Sequence, residues 1–207
     1  MPRYVSAKDL INLGWNPKVV TNDLIEDLNA TLVEFNIIKP ERIRHFISQA
    51  THECDYGNGI IEYDDGERYK DREDLGNKYP GDGPKYRGSG AIHLTGRYNY
   101  QRFANYVKDQ RVMEGCRYVA AKYPWRSGGF FWDTNGLNAL VDRGASVKDI
   151  TRVVNGGYTG LDKRQALYKR AVELKIGLPI MGFNAKLRLA SQGESPSARF
   201  SDSFPCR

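Results

Sequence analysis

The sequence predicts a mostly α-helical (α+β) domain whose helices are interrupted by a loop-rich or small β lobe. Three observations carry this reading. Apolar residues recur at helical spacing on both sides of the middle of the chain, recognisable start signals precede several of those stretches, and between residues 57 and 97 glycine, aspartate and tyrosine replace the periodicity.

The elements follow in order. Ser6 with Asp9 forms a capping box opening a short helix through Leu10, Ile11 and Leu13. Thr21 caps a longer helix carrying Leu24, Ile25, Leu28, Leu32 and Phe35 on one face, and Pro40 suits the first turn of a third with Ile43, Phe46, Ile47 and Ala50. Three residues further, Glu53 falls on that same stripe. Asp65-Gly66, between "IIEY" and "ERY", reads as a hairpin turn. Helices are then expected around Tyr100 to Val107, Val112 to Lys122 and Phe130 to Val141, with Pro124 and Gly128-Gly129 as breaks. Ser146 and Asp149 form a second capping box before Ile150, Val153 and Val154, and Asn155-Gly156-Gly157 stops that helix. A last helix uses Leu167, Ala171 and Leu174 and ends at Gly177.

With 207 residues and 40% hydrophobic content the chain supports one core, read as a single domain over residues 1–180. From about Lys186 the chain loses apolar periodicity and turns serine-rich, so residues 181–207 read as a disordered or non-native tail. The net charge of +6 favours an anionic partner, whether nucleic acid, membrane surface or wall polymer. No basic helix or RNP-like strand supports nucleic acid, and no apolar run could span a bilayer. The three cysteines, Cys54, Cys116 and Cys206, lack disulfide-framework or zinc-site spacing, which points to synthesis in a reducing cytoplasm. The N-terminus has no secretory signal pattern, so a protein acting outside the membrane needs another route out.

Glu53 and Glu62 stand nine positions apart across Gly57 and Gly59. A carboxyl on an apolar helix face suits a general acid, and Glu53→Gln is then expected to fold as well as the parent or slightly better. Glu62, among Asp64, Asp65 and Glu67, has the polar setting in which a carboxylate stays ionised and can activate water. Two carboxyls with opposed environments are what glycoside hydrolysis requires, although in a chain with 25 acidic residues such a pair is more often solvated charge. The stretch "KYRGSGAIHLTGRYNYQRF" adds Thr95, Asn99, Tyr86, Tyr98 and Tyr100, a polar and aromatic lining suited to sugars; the competing reading is a tyrosine-rich core hairpin.

"ATHE", "GSGAIHLTGRYNY", "VVNGG" and "LDKR" occur in the order and approximate spacing of family 19 glycoside hydrolases, the plant-type chitinases and related phage endolysins. The resemblance runs from about residue 40 to 175, and the compact loop between the two glutamates is similar to the endolysin branch. It implies a lysozyme-like, bilobal helical fold and an inverting hydrolase acting on β-1,4 bonds of peptidoglycan glycan strands, or on chitin oligosaccharides. Glu53 matches the general acid, Glu62 the second carboxylate, and Thr95 the residue that helps hold the attacking water. His52 precedes the acid, and Tyr98, Asn99, Asn155 and Arg164 match positions that bind sugar or support the catalytic network. Tyr86 and His93 complete the expected substrate-binding set, His93 and Gly88-Ser89-Gly90 being departures from the usual family residues. Asp64 and Asp65 remain rivals to Glu62 as base. The resemblance implies no metal or organic cofactor, a monomer, attraction to anionic wall polymers, and no nucleic-acid or membrane partner. It also implies synthesis in a host cytoplasm and action at the wall after release through the membrane.

Other constellations are weaker. His52-Glu53 begins a zincin pattern, but position 56 is Tyr56. A zinc amidase built from His52, Cys54 and His93 lacks a recognised ligand spacing. "GDGPKYRGSG" lacks the lysine of a phosphate loop. A noncatalytic wall-binding module is the remaining alternative class.

Overall fold

The computed structural model describes residues 3–178. The tail expected to be disordered, with Cys206, lies outside the described residues. The helices run α1 Ala7–Asn12, α2 Asn22–Glu34, α3 Pro40–Glu53, α4 Asp82–Lys85, α5 Arg97–Val107, α6 Cys116–Lys122, α7 Arg126–Thr134, α8 Leu137–Asp142, α9 Val147–Asn155 and α10 Leu161–Glu173. No helix among the described residues is long and apolar enough to cross a membrane.

The start signals act as read. Ser6 and Asp9 make a reciprocal capping box at α1, Ser146 and Asp149 another at α9, and the Thr21 hydroxyl accepts from Leu24 N at the start of α2. Pro40 occupies the first turn of α3, where a missing N–H costs nothing. Gly156, with φ 74°, ends α9 in the left-handed conformation glycine tolerates.

Helix α3 is the axis of the domain. Ile43, Phe46, Ile47 and Ala50 are fully buried, and Phe46 packs edge-on against Trp132 with ring centroids 5.4 Å apart. Trp125 joins Phe46 from the same core and stacks on Trp15 at 5.3 Å. Trp15 also donates from Nε1 to Thr51 Oγ1 at 2.8 Å, tying the chain after α1 to the last turn of α3. Helix α10 lies along α3, with Tyr168 against His45 at 4.5 Å.

Three readings of local structure are corrected. The Asp65-Gly66 hairpin is absent: among the described residues, extended pairing is confined to isolated bridges joining Ile61 to Ser89 and Ser89 to Leu94. Asp64 and Asp65 instead accept from the backbone N–H groups of Gly66 and Glu67 at 2.8 and 3.0 Å, curling the chain into the 3-10 turn Glu67–Tyr69. Next, the two later helical stretches are broken where glycine takes positive φ, at Gly115 (φ 115°) before α6 and at Gly136 (φ 64°) between α7 and α8. Finally, Gly128-Gly129 does not break a helix but lies inside α7. A Cβ on Gly129 would stand 2.3 Å from Phe35 Cδ2 and 2.6 Å from Thr31 Cγ2, so glycine there permits α7 to close on α2.

Candidate active site

Glu53 and Glu62 line one cleft of about 690 Å³, together with His93, Thr95, Asn99 and Asn155. Helix α3 delivers Glu53 at its C-terminal end, the extended segment after Ile61 delivers Glu62, and the end of α9 supplies Asn155.

Glu53 is not in the apolar setting the stripe implied. Its side chain is 15% exposed, and Oε1 accepts from Arg164 Nη2 at 2.5 Å. Arg164, on α10, is 1% exposed; its Nη1 donates to Gln49 Oε1 at 2.5 Å and its Nε to Thr159 O at 3.3 Å. Gln49 sits one turn before Glu53 on the same face of α3 and donates in turn to Thr151 Oγ1 of α9 at 3.1 Å. Arg164 of α10 thus bonds two side chains of α3, and α9 joins the network through Gln49. Arg164 therefore supports the carboxylate rather than offering itself to a sugar.

Glu62 is held from other directions. Its own N–H donates to Gly88 O at 2.9 Å, and Gly88 N–H donates back to Oε2 at 3.1 Å. The Tyr69 hydroxyl lies 2.9 Å from Oε1 and 3.1 Å from Oε2, and the Arg68 guanidinium pairs with Oε1. Burial, reinforced by Glu62, pushes the Tyr69 phenol above its ordinary pKa, so it stays a donor. A Cβ at position 88 would approach Glu62 Oε2 to 3.0 Å and His93 Cβ to 2.8 Å, which is why glycine stands beside the carboxylate. Asp64 and Asp65 are exposed and engaged in their turns, outside the cleft lining.

His93 has φ 50°, a conformation costing a non-glycine residue about 1–2 kcal/mol. It places Nε2 2.7 Å from Gly59 O and Nδ1 3.9 Å from Glu53 Oε2, bracing the loop between the two carboxylates. The Thr95 hydroxyl donates to His93 O at 2.7 Å, which leaves its lone pairs as acceptors toward the cleft. Asn99 donates to Thr95 O at 2.9 Å, and Asn155 Oδ1 accepts from Thr159 N at 3.2 Å.

Three expected site residues stand elsewhere. Tyr86 is 1% exposed, packs edge-on against Tyr100 at 5.1 Å and donates to Met113 O at 3.3 Å, so it belongs to the core. Tyr98 is 57% exposed and lines a neighbouring depression with Glu73 and Gln101 rather than the cleft. His52 is turned against Gly160, where a Cβ would meet its Nε2 at 2.0 Å; burial and Arg164 hold its pKa below the usual value. The cleft draws its aromatic surface from Tyr69 and Phe131, neither of which the sequence reading chose. Cys54, of the notional zinc trio, is fully buried, and burial pushes its thiol up to about 12. Among the described residues no three His, Cys, Asp or Glu side chains gather where they could hold a metal.

Known proteins share this architecture. Chitinase C from Streptomyces griseus HUT6037 superposes with a TM-score of 0.67 at 15% identity, covering 84% of this chain and 93% of that one. A second crystal structure, of a bacterial family 19 chitinase, gives a TM-score of 0.67 at 18% identity over 83% of this chain and 95% of that one. The fold is that of the family 19 chitinases. In sequence, 105 residues are 32% identical to a glycosyl hydrolase family 19 domain-containing protein of Haemophilus influenzae (strain ATCC 51907 / DSM 11121 / KW20 / Rd), 49% of this chain and 48% of that protein. The matched part thus spans about half the length of that curated relative. No family model matches the chain. The chain is thus similar to family 19 chitinases in fold and, over about half its length, to a family 19 domain-containing protein in sequence, and the mostly helical architecture agrees with that fold.

Proposed function

We propose that the protein is an inverting glycoside hydrolase of the endolysin type that cuts β-1,4 bonds in the glycan strands of bacterial peptidoglycan. The observation that carries this reading is the convergence of Glu53 and Glu62 on one cleft, each fixed by its own set of donors. Glu53 protonates the leaving glycosidic oxygen, while Glu62 takes a proton from a water attacking the opposite face of the sugar. Thr95, with its hydrogen already given to His93 O, accepts a hydrogen bond from that water and orients it. Asn99, Asn155, Tyr69 and Phe131 offer the amide edges and ring faces that sugars bind.

On this reading the protein is made in a host cytoplasm, passes the membrane through a separate release step and acts at the wall as a monomer. The net charge of +6 supports attraction to anionic wall polymers. The matching test digests purified walls, reduces the products with borohydride and identifies the new ends by mass spectrometry. Reduced amino-sugar ends are expected; free peptides without new reducing ends would refute a glycosidase. Hydrolysis of chitin is the second reading, favoured by the structural neighbours, which are named as chitinases. Chitin oligosaccharides cut much faster than wall glycan would select it.

A further inference from the structure

A second cavity, of about 760 Å³, lies between α2 and α6 and is larger than the cleft. Its apolar lining includes Trp15, Val19, Leu24 and Ile60, and small side chains, Ala120 and Ala121, keep its α6 wall low. The charges divide by wall. Asp23 and Asp27 come from α2, and Arg117 and Lys122 from α6. None of the four makes an ion pair among the described residues. Asp27 accepts from Trp125 N–H through Oδ2 at 3.1 Å, while among the described residues its other oxygen accepts no hydrogen bond. Burial raises the Asp27 pKa, a cost that an arriving cation would relieve.

The position of the cavity ties it to the cleft. Asn58, Ile60 and Ile61 line it, and the next residue, Glu62, lines the cleft, so one strand of backbone forms a shared wall.

We infer that this cavity binds a short zwitterionic peptide with small apolar side chains, namely the peptide substituent of the glycan strand that the cleft is proposed to cut. An amine fits Asp23 and Asp27, carboxylates fit Arg117 and Lys122, and alanine-sized side chains fit the apolar floor between them. The source of the peptide rests on the proposed function; the fit to its chemistry does not.

The test titrates the protein with a synthetic alanyl-glutamyl-lysyl-alanine tetrapeptide in the wall's linkage and stereochemistry, followed by calorimetry and by the Trp15 indole N–H resonance. Saturable binding that shifts Trp15 is expected. Arg117→Ala/Lys122→Ala changes two exposed side chains on α6 and should bind about tenfold more weakly. The same variant should cut peptide-free chitin oligosaccharides at the parental rate and show a raised KM on peptide-bearing glycan. Absence of saturable binding at millimolar peptide, or equal binding by the double variant, would overturn the assignment. Tetrapeptide binding without any new reducing ends from walls would leave the cavity assigned and sink the hydrolase reading. Wall cleavage with no tetrapeptide binding would do the reverse.

Discussion

Glu53→Gln separates the chemistry of the site from its architecture. The substitution keeps volume and an acceptor oxygen for Arg164, but removes a group that can take up and give a proton and that, when ionised, pairs with a guanidinium only 1% exposed. Arg164 keeps a charge-assisted hydrogen bond to the amide oxygen and loses only its counter-charge, so the loss is a part of the about 1.5–3 kcal/mol such a bond contributes, about 1–2 kcal/mol. Complete removal of a partner from a buried pair would cost about 3–5 kcal/mol, but Gln49 and the retained amide oxygen keep both Nη groups engaged. For a domain of this size the midpoint should fall by roughly 2–8 °C. That sign reverses the expectation from sequence, where an apolar stripe made the neutral residue neutral or favourable. Turnover should fall by a factor of roughly 10² to 10⁴, the contribution of a positioned proton donor. Differential scanning calorimetry gives the first number and initial rates of reducing-end release give the second, on the same preparation. A folded variant cutting glycan at the parental rate would remove Glu53 from the mechanism. An unchanged or raised midpoint would show that the Arg164 contact contributes no net stability.

Four other outcomes follow from the geometry. Glu62→Gln should lose roughly 10² to 10⁴ in rate while Asp64→Asn and Asp65→Asn stay near the parental value, and an inactive aspartate variant beside an active Glu62→Gln would move the base. Tyr69→Phe should lower kcat about tenfold to a hundredfold with little change in KM, because it removes a donor to the carboxylate rather than a contact common to ground and transition states; a pure KM effect would contradict the positioning role. Gly129→Ala should destabilise by about 1–3 kcal/mol, read as a lower urea midpoint at unchanged slope, since its Cβ would overlap the Phe35 ring. His45 is 4% exposed with Nδ1 unpartnered, and burial lowers its pKa to about 4, against the opposing pull of Glu41. The unfolded chain therefore binds the extra proton first, so stability should fall as pH drops from about 6.5 toward 4, by on the order of 3 kcal/mol; His45→Gln should flatten that part of the profile.

The helices were legible wherever a cap and a stripe coincided. Ser6 with Asp9, Thr21 and Ser146 with Asp149 each mark a start made by local hydrogen bonding, Pro40 marks one through its fixed φ, and the stripe of α3 is buried as its spacing implied. Stops were less legible. Gly115 and Gly136 take positive φ within stretches whose apolar spacing runs on, whereas Gly128 and Gly129 stay helical, Gly128 facing Ile92 and Gly129 pressed against Thr31 and Phe35. A glycine breaks a helix or admits a neighbour according to what packs beside it, and that information is not local. The same limit separates the tyrosines: in a loop without a period, nothing tells Tyr86, which is buried, from Tyr69, which reaches Glu62.

The two carboxylates were legible for different reasons, and the structure gives them different mechanical roles. Glu53 stood out as a charge on an apolar stripe, and the residue that could have announced its partner was Gln49, a second polar group on the same face. Arg164, 111 positions away, became visible only through its motif. Its buried guanidinium joins α10 to Gln49 and Glu53 of α3, and Gln49 carries the network on to Thr151 of α9. Glu62 instead takes its guanidinium from Arg68, a side chain 58% exposed on a 3-10 turn, with Gly88 N–H and Tyr69 as the fixed donors. Arg68 also donates to the Tyr69 hydroxyl at 2.6 Å and lies over its ring, 4.7 Å from the centroid, while the Glu62 side chain is 13% exposed. Arg68, Tyr69 and Gly88 therefore hold the carboxylate together, through one cation and two neutral donors. Under the proposed mechanism, the member of the pair tied to the buried network is the one that must meet a sugar oxygen in a fixed place.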